Sequence, residues 1–276
     1  MNRVRLFGFE VDALRMREAV AQLLKWAVER DGVCRFVVTP NADHAVLFQE
    51  NMKLRQAYAS ASLVLVDGMP LLLAAKLLRR GVPERVPGSD LVPALFSAAG
   101  EGPETRRSLR IYLLGAAPGV AERAADRIKA MWTGVDVVGC YSPPLGFERN
   151  PGENEAILAR IAQSKCDVLI VGLGAPKQEL WVLEHQTHIA APVALCVGAT
   201  IDFLAGEKAR APRWMRCVGL EWLHRLGSEP RRLARRYLRD AIHLPRLLWR
   251  EIRGTTIRPR SPATTRTTLS RSANIE

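Results

Sequence analysis

Nothing in the 276-residue chain has the length and purity of a membrane span: although 48% of the residues are apolar, no run of about 20 of them occurs. The first residues, Met1-Asn2-Arg3-Val4-Arg5-Leu6-Phe7-Gly8, also lack the apolar core of a secretory leader, so the expected workplace is the cytoplasm or a cytoplasmic surface. Cysteine is sparse and unpatterned. Cys34, Cys140, Cys166, Cys196 and Cys217 are odd in number and never form C-x-x-C, which argues against a disulfide framework or a zinc site and for buried thiols in a reducing compartment. There is no D-x-D motif and no His/Cys/carboxylate cluster at metal-ligand spacing, so no metal is expected; the scattered histidines read mostly as helix-surface positions. Acidic residues are in deficit: Arg and Lys number 40 against 28 Asp and Glu, a net charge of +12. Such an excess favours anionic partners, whether nucleic acid, anionic lipid or phosphorylated substrates.

What is present is alternation. Leu63-Val64-Leu65-Val66 reads as a strand buried on both faces, and it stops abruptly at Asp67-Gly68. Arg35-Phe36-Val37-Val38 stops in the same way at Thr39-Pro40-Asn41. Further strands are expected over 4–9, 110–114, 135–139, 167–172 and 193–197, with helices over 12–30, 43–59, 70–80, 90–99, 118–132, 153–164 and 177–188. Strands alternating with helices over short connections make a parallel sheet with helices on its faces. Residues 100–109 read as a surface loop and the best internal boundary, and no internal repeat is visible.

In open α/β sheets ligands sit at the carboxyl ends of strands. Asp67 is there a candidate general base, and Thr39 and Asn41 bring a hydroxyl and an amide toward the same crevice. The alternative is that Asp67 caps the next helix while Thr39 and Asn41 build a turn. Val168-Leu169-Ile170-Val171-Gly172-Leu173-Gly174-Ala175-Pro176-Lys177-Gln178 is a strand, a glycine turn and a helix start, a combination that suits an anion such as a diphosphate. A third glycine at the dinucleotide spacing is missing, as is an acid ending the next strand, which counts against NAD. Lys177 and Gln178 favour phosphate or sugar contacts over a purely structural turn. Gly115 ends a second strand–glycine–helix unit, and Gly139-Cys140-Tyr141-Ser142-Pro143-Pro144 is a strand end that could hold Tyr141 against a base.

From about Glu207 tryptophan and arginine appear together. A helix is expected from Ser228, as N-cap, with Pro230 in its first turn and a kink or split at Pro245. Leu233, Tyr237, Ala241, Leu244, Leu248 and Ile252 share one arc of roughly 100°, with arginines opposite. The arginines could be a solvated face or a nucleic-acid contact, but no nucleic-acid recognition motif accompanies them. The stripe and tryptophans favour an anionic membrane surface, with no nucleic acid partner.

Taken together the motifs resemble the WecG/TagA/CpsF family of bacterial glycosyltransferases, over roughly residues 4–240. The likeness is carried by Thr39-Pro40-Asn41, Val66-Asp67-Gly68, Glu84-Arg85-Val86-x-Gly88-Ser89-Asp90, Gly172-x-Gly174-x-Pro176-Lys177-Gln178-Glu179, Gly198-Ala199-x-x-Asp202, Arg210-Ala211-Pro212-x-Trp214, Gly219-Leu220-Glu221-Trp222-Leu223-x-Arg225-Leu226 and Glu229-Pro230-x-Arg232. It implies an inverting, metal-independent transfer of N-acetylmannosamine, its uronic acid or glucose from a UDP-sugar to an undecaprenyl-diphosphate-linked saccharide. Teichoic-acid, cell-surface antigen or exopolysaccharide synthesis is the implied setting, on the inner face of the bacterial membrane. It implies catalytic roles for Asp67, as general base, and for Thr39, Asn41 and Arg85 in the same pocket. Substrate contacts are implied for Gln178, within Lys177-Gln178-Glu179, and for Arg225, Arg232 and Arg235, which would close over the site when the C-terminal segment docks. Met69 and Pro70 depart from the family pattern, and residues past about 254 have no counterpart in it.

The expected architecture is therefore a Rossmann-like parallel-sheet core with helices on both faces (1–206), a basic amphipathic helical appendage (207–253) and a disordered tail (254–276). No cofactor is expected beyond the UDP-sugar as donor substrate, and homo-oligomerisation is left open. Competing readings are an NAD(P)-linked or other nucleotide-dependent α/β enzyme, which an absence of NAD(H) binding would dispose of, and a basic lipid- or nucleic-acid-binding module, which leaves Asp67 without a task.

Overall fold

The computed structural model of the protein describes residues 2–101 and 108–254. In chain order the elements are β1 (Arg3–Leu6), β2 (Phe9–Asp12), α1 (Met16–Val28), β3 (Arg35–Val38), α2 (Ala42–Glu50), α3 (Met52–Ser60), β4 (Leu63–Val64), α4 (Met69–Leu77), α5 (Gly88–Glu101), β5 (Leu109–Gly115), α6 (Val120–Met131), β6 (Val135–Tyr141), α7 (Pro151–Ser164), β7 (Val168–Gly172), α8 (Lys177–His185), β8 (Val193–Cys196), α9 (Thr200–Ala205), α10 (Arg213–Cys217), α11 (Glu221–Ser228) and α12 (Pro230–Ile252). Six strands form a parallel sheet in the order β4-β3-β8-β7-β5-β6.

Successive side chains of a strand point to opposite faces, and here each face has its own core. Phe36, Val38, Val64, Leu169, Val171 and Ala194 pack on one side with residues of α2, α3, α4, α7 and α8. Val37, Leu63, Val168, Ile170, Val193 and Leu195 pack on the other with residues of α1, α5, α6 and α9. Two buried faces explain why the strands read as unbroken apolar runs. The thiols of Cys34, Cys166 and Cys196 are free and buried, and that of Cys140 is free and half-buried.

Several expected elements are redrawn. The single strand over 4–9 is a hairpin: Phe7 (φ 51°) and Gly8 (φ 92°) turn the chain and Leu6 pairs with Phe9, because two residues with positive φ match the twist of a two-residue turn. The helix over 43–59 is two, broken at Asn51, whose N–H closes α2 on the Leu47 carbonyl and whose Oδ1 accepts from the Leu54 N–H at 3.0 Å. Asparagine is a better cap than a mid-helix residue. The short helices α9, α10 and α11 carry too few turns for a periodic signal.

In α12 the N-cap is Glu229; the Ser228 hydroxyl donates instead to the carbonyls of His224 and Arg225 within α11. Pro245 does not split α12. It and Ala241, whose carbonyl loses a partner, are both exposed, so water can serve that carbonyl. The inward stripe is also rotated from the expected arc. Leu233, Asp240, Leu247 and Glu251 are buried, whereas Ala241 and Ile252 are exposed along with Leu238, Ile242 and Trp249. Glu251 accepts the Phe7 N–H at 2.8 Å, tying α12 to the hairpin. Most of the loop expected at 100–109 and the tail past Gly254 lie outside the described residues.

Candidate active site

The carboxyl edge of the sheet gathers the strand-end residues. Asp67 N–H bonds the Pro40 carbonyl at 2.9 Å, so the turns after β4 and β3 run side by side. They touch at Gly68, where a Cβ would lie 3.1 Å from both Cα and Cβ of Asn41. Gly68, not Asp67, is the N-cap of α4, so capping does not occupy the Asp67 carboxylate. Asn41 does cap α2: its Oδ1 accepts from the Asp43 N–H at 3.1 Å. The Thr39 hydroxyl donates to the Cys196 carbonyl at 3.2 Å and holds β3 to β8.

Asp67 lies where two lobes of a cavity meet. The polar lobe, about 190 Å³, is lined among others by Thr39, Asn41, Gly172, Gly174, Gln178 and Gly198. The mostly apolar lobe, about 290 Å³, is lined among others by Met69, Pro70, Arg85, Phe203, Trp222 and Leu244. Asn41, Asp43, Asp67, Arg225 and Arg236 border both lobes. Burial first, then the Glu221 carboxylate, push the Asp67 pKa up to about 7, against the pull of Arg225, Arg85 and His44. A carboxyl titrating there is matched to general-base work near neutrality. Arg85 is oriented by the Arg216 carbonyl at 2.7 Å and by Glu221 at 3.6 Å, and so joins the core to α10 and α11.

Beneath the polar lobe the Gln178 amide is held from both ends: Oε1 accepts the Gly198 N–H at 3.1 Å, and Nε2 donates to Glu179 Oε1 at 2.7 Å. Glu179 itself is fully buried and does not line the cavity. Gly172 is confined by Ile201 and the Gly198 carbonyl, 2.8 and 3.0 Å from where a Cβ would sit.

Other expected residues stand apart. Lys177 pairs with Glu148 at 3.3 Å and covers the Phe147 ring, away from both lobes. Tyr141 donates to Glu153 at 2.6 Å with the Arg160 guanidinium 4.9 Å from its ring, farther along the same edge beside Gly115. Arg235 is exposed; Arg236, one residue on, turns into the cavity. Arg232 belongs to α12, and its side chain lies outside the described residues.

Sequence reading passed over the clamp that holds α12 here. Asp43, buried at the start of α2, binds Arg239 directly and Arg236 at 3.5 Å. Asp240 lies beside them, its pKa raised to about 6 by burial and by Asp43 against the two arginines. The only sequence signal was position: Asp43 and His44 follow the Thr-Pro-Asn turn in the first turn of a helix. Among the described residues no group of three or more His, Cys, Asp or Glu side chains could hold a metal ion, and no helix is long and apolar enough to cross a membrane.

A parallel α/β sheet whose strand-end turns gather a carboxyl titrating near neutrality, glycine turns and arginines places the protein among the α/β proteins whose site lies at the carboxyl ends of the strands. The family model described as glycosyl transferase WecG/TagA/CpsF family matches residues 4–258. The chain belongs to that family and is a glycosyltransferase, which takes a nucleotide-sugar donor and an acceptor.

Proposed function

We propose that the protein transfers N-acetylmannosamine, its uronic acid or glucose from a UDP-sugar to an undecaprenyl-diphosphate-linked saccharide, with inversion and without a metal ion, in the synthesis of a surface glycan. The observation that carries this is Asp67, raised to about 7 at the junction of a polar and an apolar lobe. Asp67 takes the proton of the acceptor hydroxyl as that oxygen attacks the anomeric carbon. The bond to UDP breaks on the opposite side, so one displacement inverts the centre. Negative charge grows on the departing diphosphate, and Arg225 and Arg236, which border both lobes, are placed to meet it. The glycine turns at Gly172 and Gly174 admit the diphosphate to the polar lobe. The apolar lobe suits the lipid-linked acceptor. Asn41 and Gln178 hold the sugar, and Thr39 and Arg85 keep the pocket walls in place.

The protein works against the inner face of the cell membrane. Leu238, Ile242 and Trp249 are exposed along α12, next to Arg235, Arg246 and Arg250, also exposed; apolar side chains beside arginines suit the interface of anionic lipid.

The test is UDP release from a panel of UDP-sugars with a bacterial lipid-linked saccharide extract, wild type against Asp67→Asn, with and without EDTA. Acceptor-dependent release with one sugar, unaffected by EDTA and lost in the variant, is the expected result. Failure to bind UDP would overturn the donor assignment, and strict metal dependence would overturn the metal-free mechanism.

A further inference from the structure

His44 and Glu179 are buried against each other under the polar lobe. His44 Nε2 lies 3.2 Å from Glu179 Oε1, and Nδ1 lies 3.1 Å from Asn41 Oδ1. That the Asn41 atom is the carbonyl oxygen follows from its second contact, since it also accepts the Asp43 N–H. Both ring nitrogens thus face acceptors, and an imidazole donates from both only when it carries two protons. The Asn41 N–H also points at Nδ1, at 3.4 Å. A neutral ring could accept it, but then the lone pairs of Nδ1 and of the nearer Asn41 Oδ1 would face each other.

Glu179 supplies the counter-charge. Its Oε1 accepts from His44 and from Gln178, while Oε2 has no hydrogen-bond partner among the described residues. A carboxylate so enclosed needs a cation beside it.

We propose that His44 is a positioning residue: clamped as an imidazolium between Asn41 and Glu179, it turns the Asn41 amide N–H groups toward the cavity and sets positive charge near Asp67. This rests on the reading of Asp67 as the base. The groups facing His44 are Asp43 on its own helix, Asp67 after β4, Glu179 on α8 and Tyr58 on α3, whose ring centroid is 6.4 Å away. Behind Asp43 stand Arg236 and Arg239 of α12. Asp67 is faced in turn by Glu221 and Arg225 of α11 and by Arg85. Burial opposes the charge on His44, but Glu179, Asp43 and Asp67 outweigh it and hold the ring above the ordinary histidine value.

The role would be read in two ways on the full-length protein. In the first, histidine is labelled with nitrogen-15 and His44 is identified by the signal missing from His44→Gln. Both ring nitrogens should show the imidazolium shift at pH 7.5, and Glu179→Gln should return the ring to the neutral form. In the second, the acid limb of kcat/KM in His44→Gln should move up by roughly one pH unit, because Asp67 loses a nearby cation. A neutral His44 in the wild type at pH 7.5 would overturn the proposal. So would a limb that stays in place while turnover falls, which marks a merely structural residue. Retention of turnover by Asp67→Asn would instead remove the base assignment, and the ring shifts would then decide the state of His44 on their own.

Discussion

Replacing Asp43 by Asn should loosen one half of α12 and leave the other half in place. Asp43 is nearly enclosed, its side chain 7% exposed, while Arg236 and Arg239 are 30% and 39% exposed. Removing one partner of a fully buried pair costs about 3–5 kcal/mol, whereas surface pairs are worth about 0–1 kcal/mol. With half-wet arginines the expected loss falls between, at about 1–2 kcal/mol. It is kept low by compensation: without the Asp43 charge, Asp240 ionises more readily and takes up part of the arginines' interaction. In hydrogen exchange, about 1.4 kcal/mol is a tenfold change in an opening equilibrium. Amides of 233–240 should therefore exchange about five- to thirtyfold faster. Those of 247–252 should not, because Leu247 is buried in the core and Glu251 holds the Phe7 N–H. Equal acceleration along the whole helix would show that α12 opens as one rigid body. A change under twofold in 233–240 would show that the Asp43 clamp does not hold the helix.

Three further outcomes are expected. The folded-state pKa of Asp67, about 7, lies above the ordinary carboxylate value, so its contribution to stability is fully present at low pH and lost as pH rises toward 7. Asp67→Asn should unfold about 2–4 kcal/mol harder than wild type at pH 8 and nearly equally at pH 4; urea denaturation at the two pH values checks this, and equal differences would refute it. Gly115→Ala places a Cβ 2.5 Å from the Gly172 carbonyl at φ 119°, and should destabilise by roughly 1–3 kcal/mol or more in the same assay. Leu238→Ser with Trp249→Ser should weaken sedimentation with anionic vesicles without changing the melting temperature by more than a few degrees; undiminished sedimentation would remove α12 from the membrane face.

The sheet was legible because it is buried on both sides: runs such as Leu63-Val64-Leu65-Val66 mark its strands, although β4 itself ends at Val64; Thr39 follows β3 directly, and Asn41 and Asp67 each lie three residues beyond the last residue of β3 and β4. Where local chemistry broke a pattern, the sequence was harder to read. Asn51 ends one helix and starts another inside a single apolar periodicity, and Phe7-Gly8 turns a chain that looked extended. In α12 the expected arc is rotated from the face that packs, so that Ala241 and Ile252, which it placed inward, are exposed. Packing instead buries Asp240 and Glu251, charged residues that find partners, and exposes Leu238 and Ile242. Pairings such as Asp43 with Arg239, 196 residues apart, leave no local trace at all.

The bond from the Phe7 N–H to Glu251 closes the first turn of the described chain onto the last turn of the helix that roofs the cavity. Gln49 adds to it from α2 by donating to the Phe7 carbonyl at 2.8 Å. The hairpin thereby becomes a remote gauge of that helix. A fluorescent label on Glu10, an exposed hairpin residue that lines neither lobe, would sense the roof lifting or seating in real time, with every residue that handles substrate left untouched.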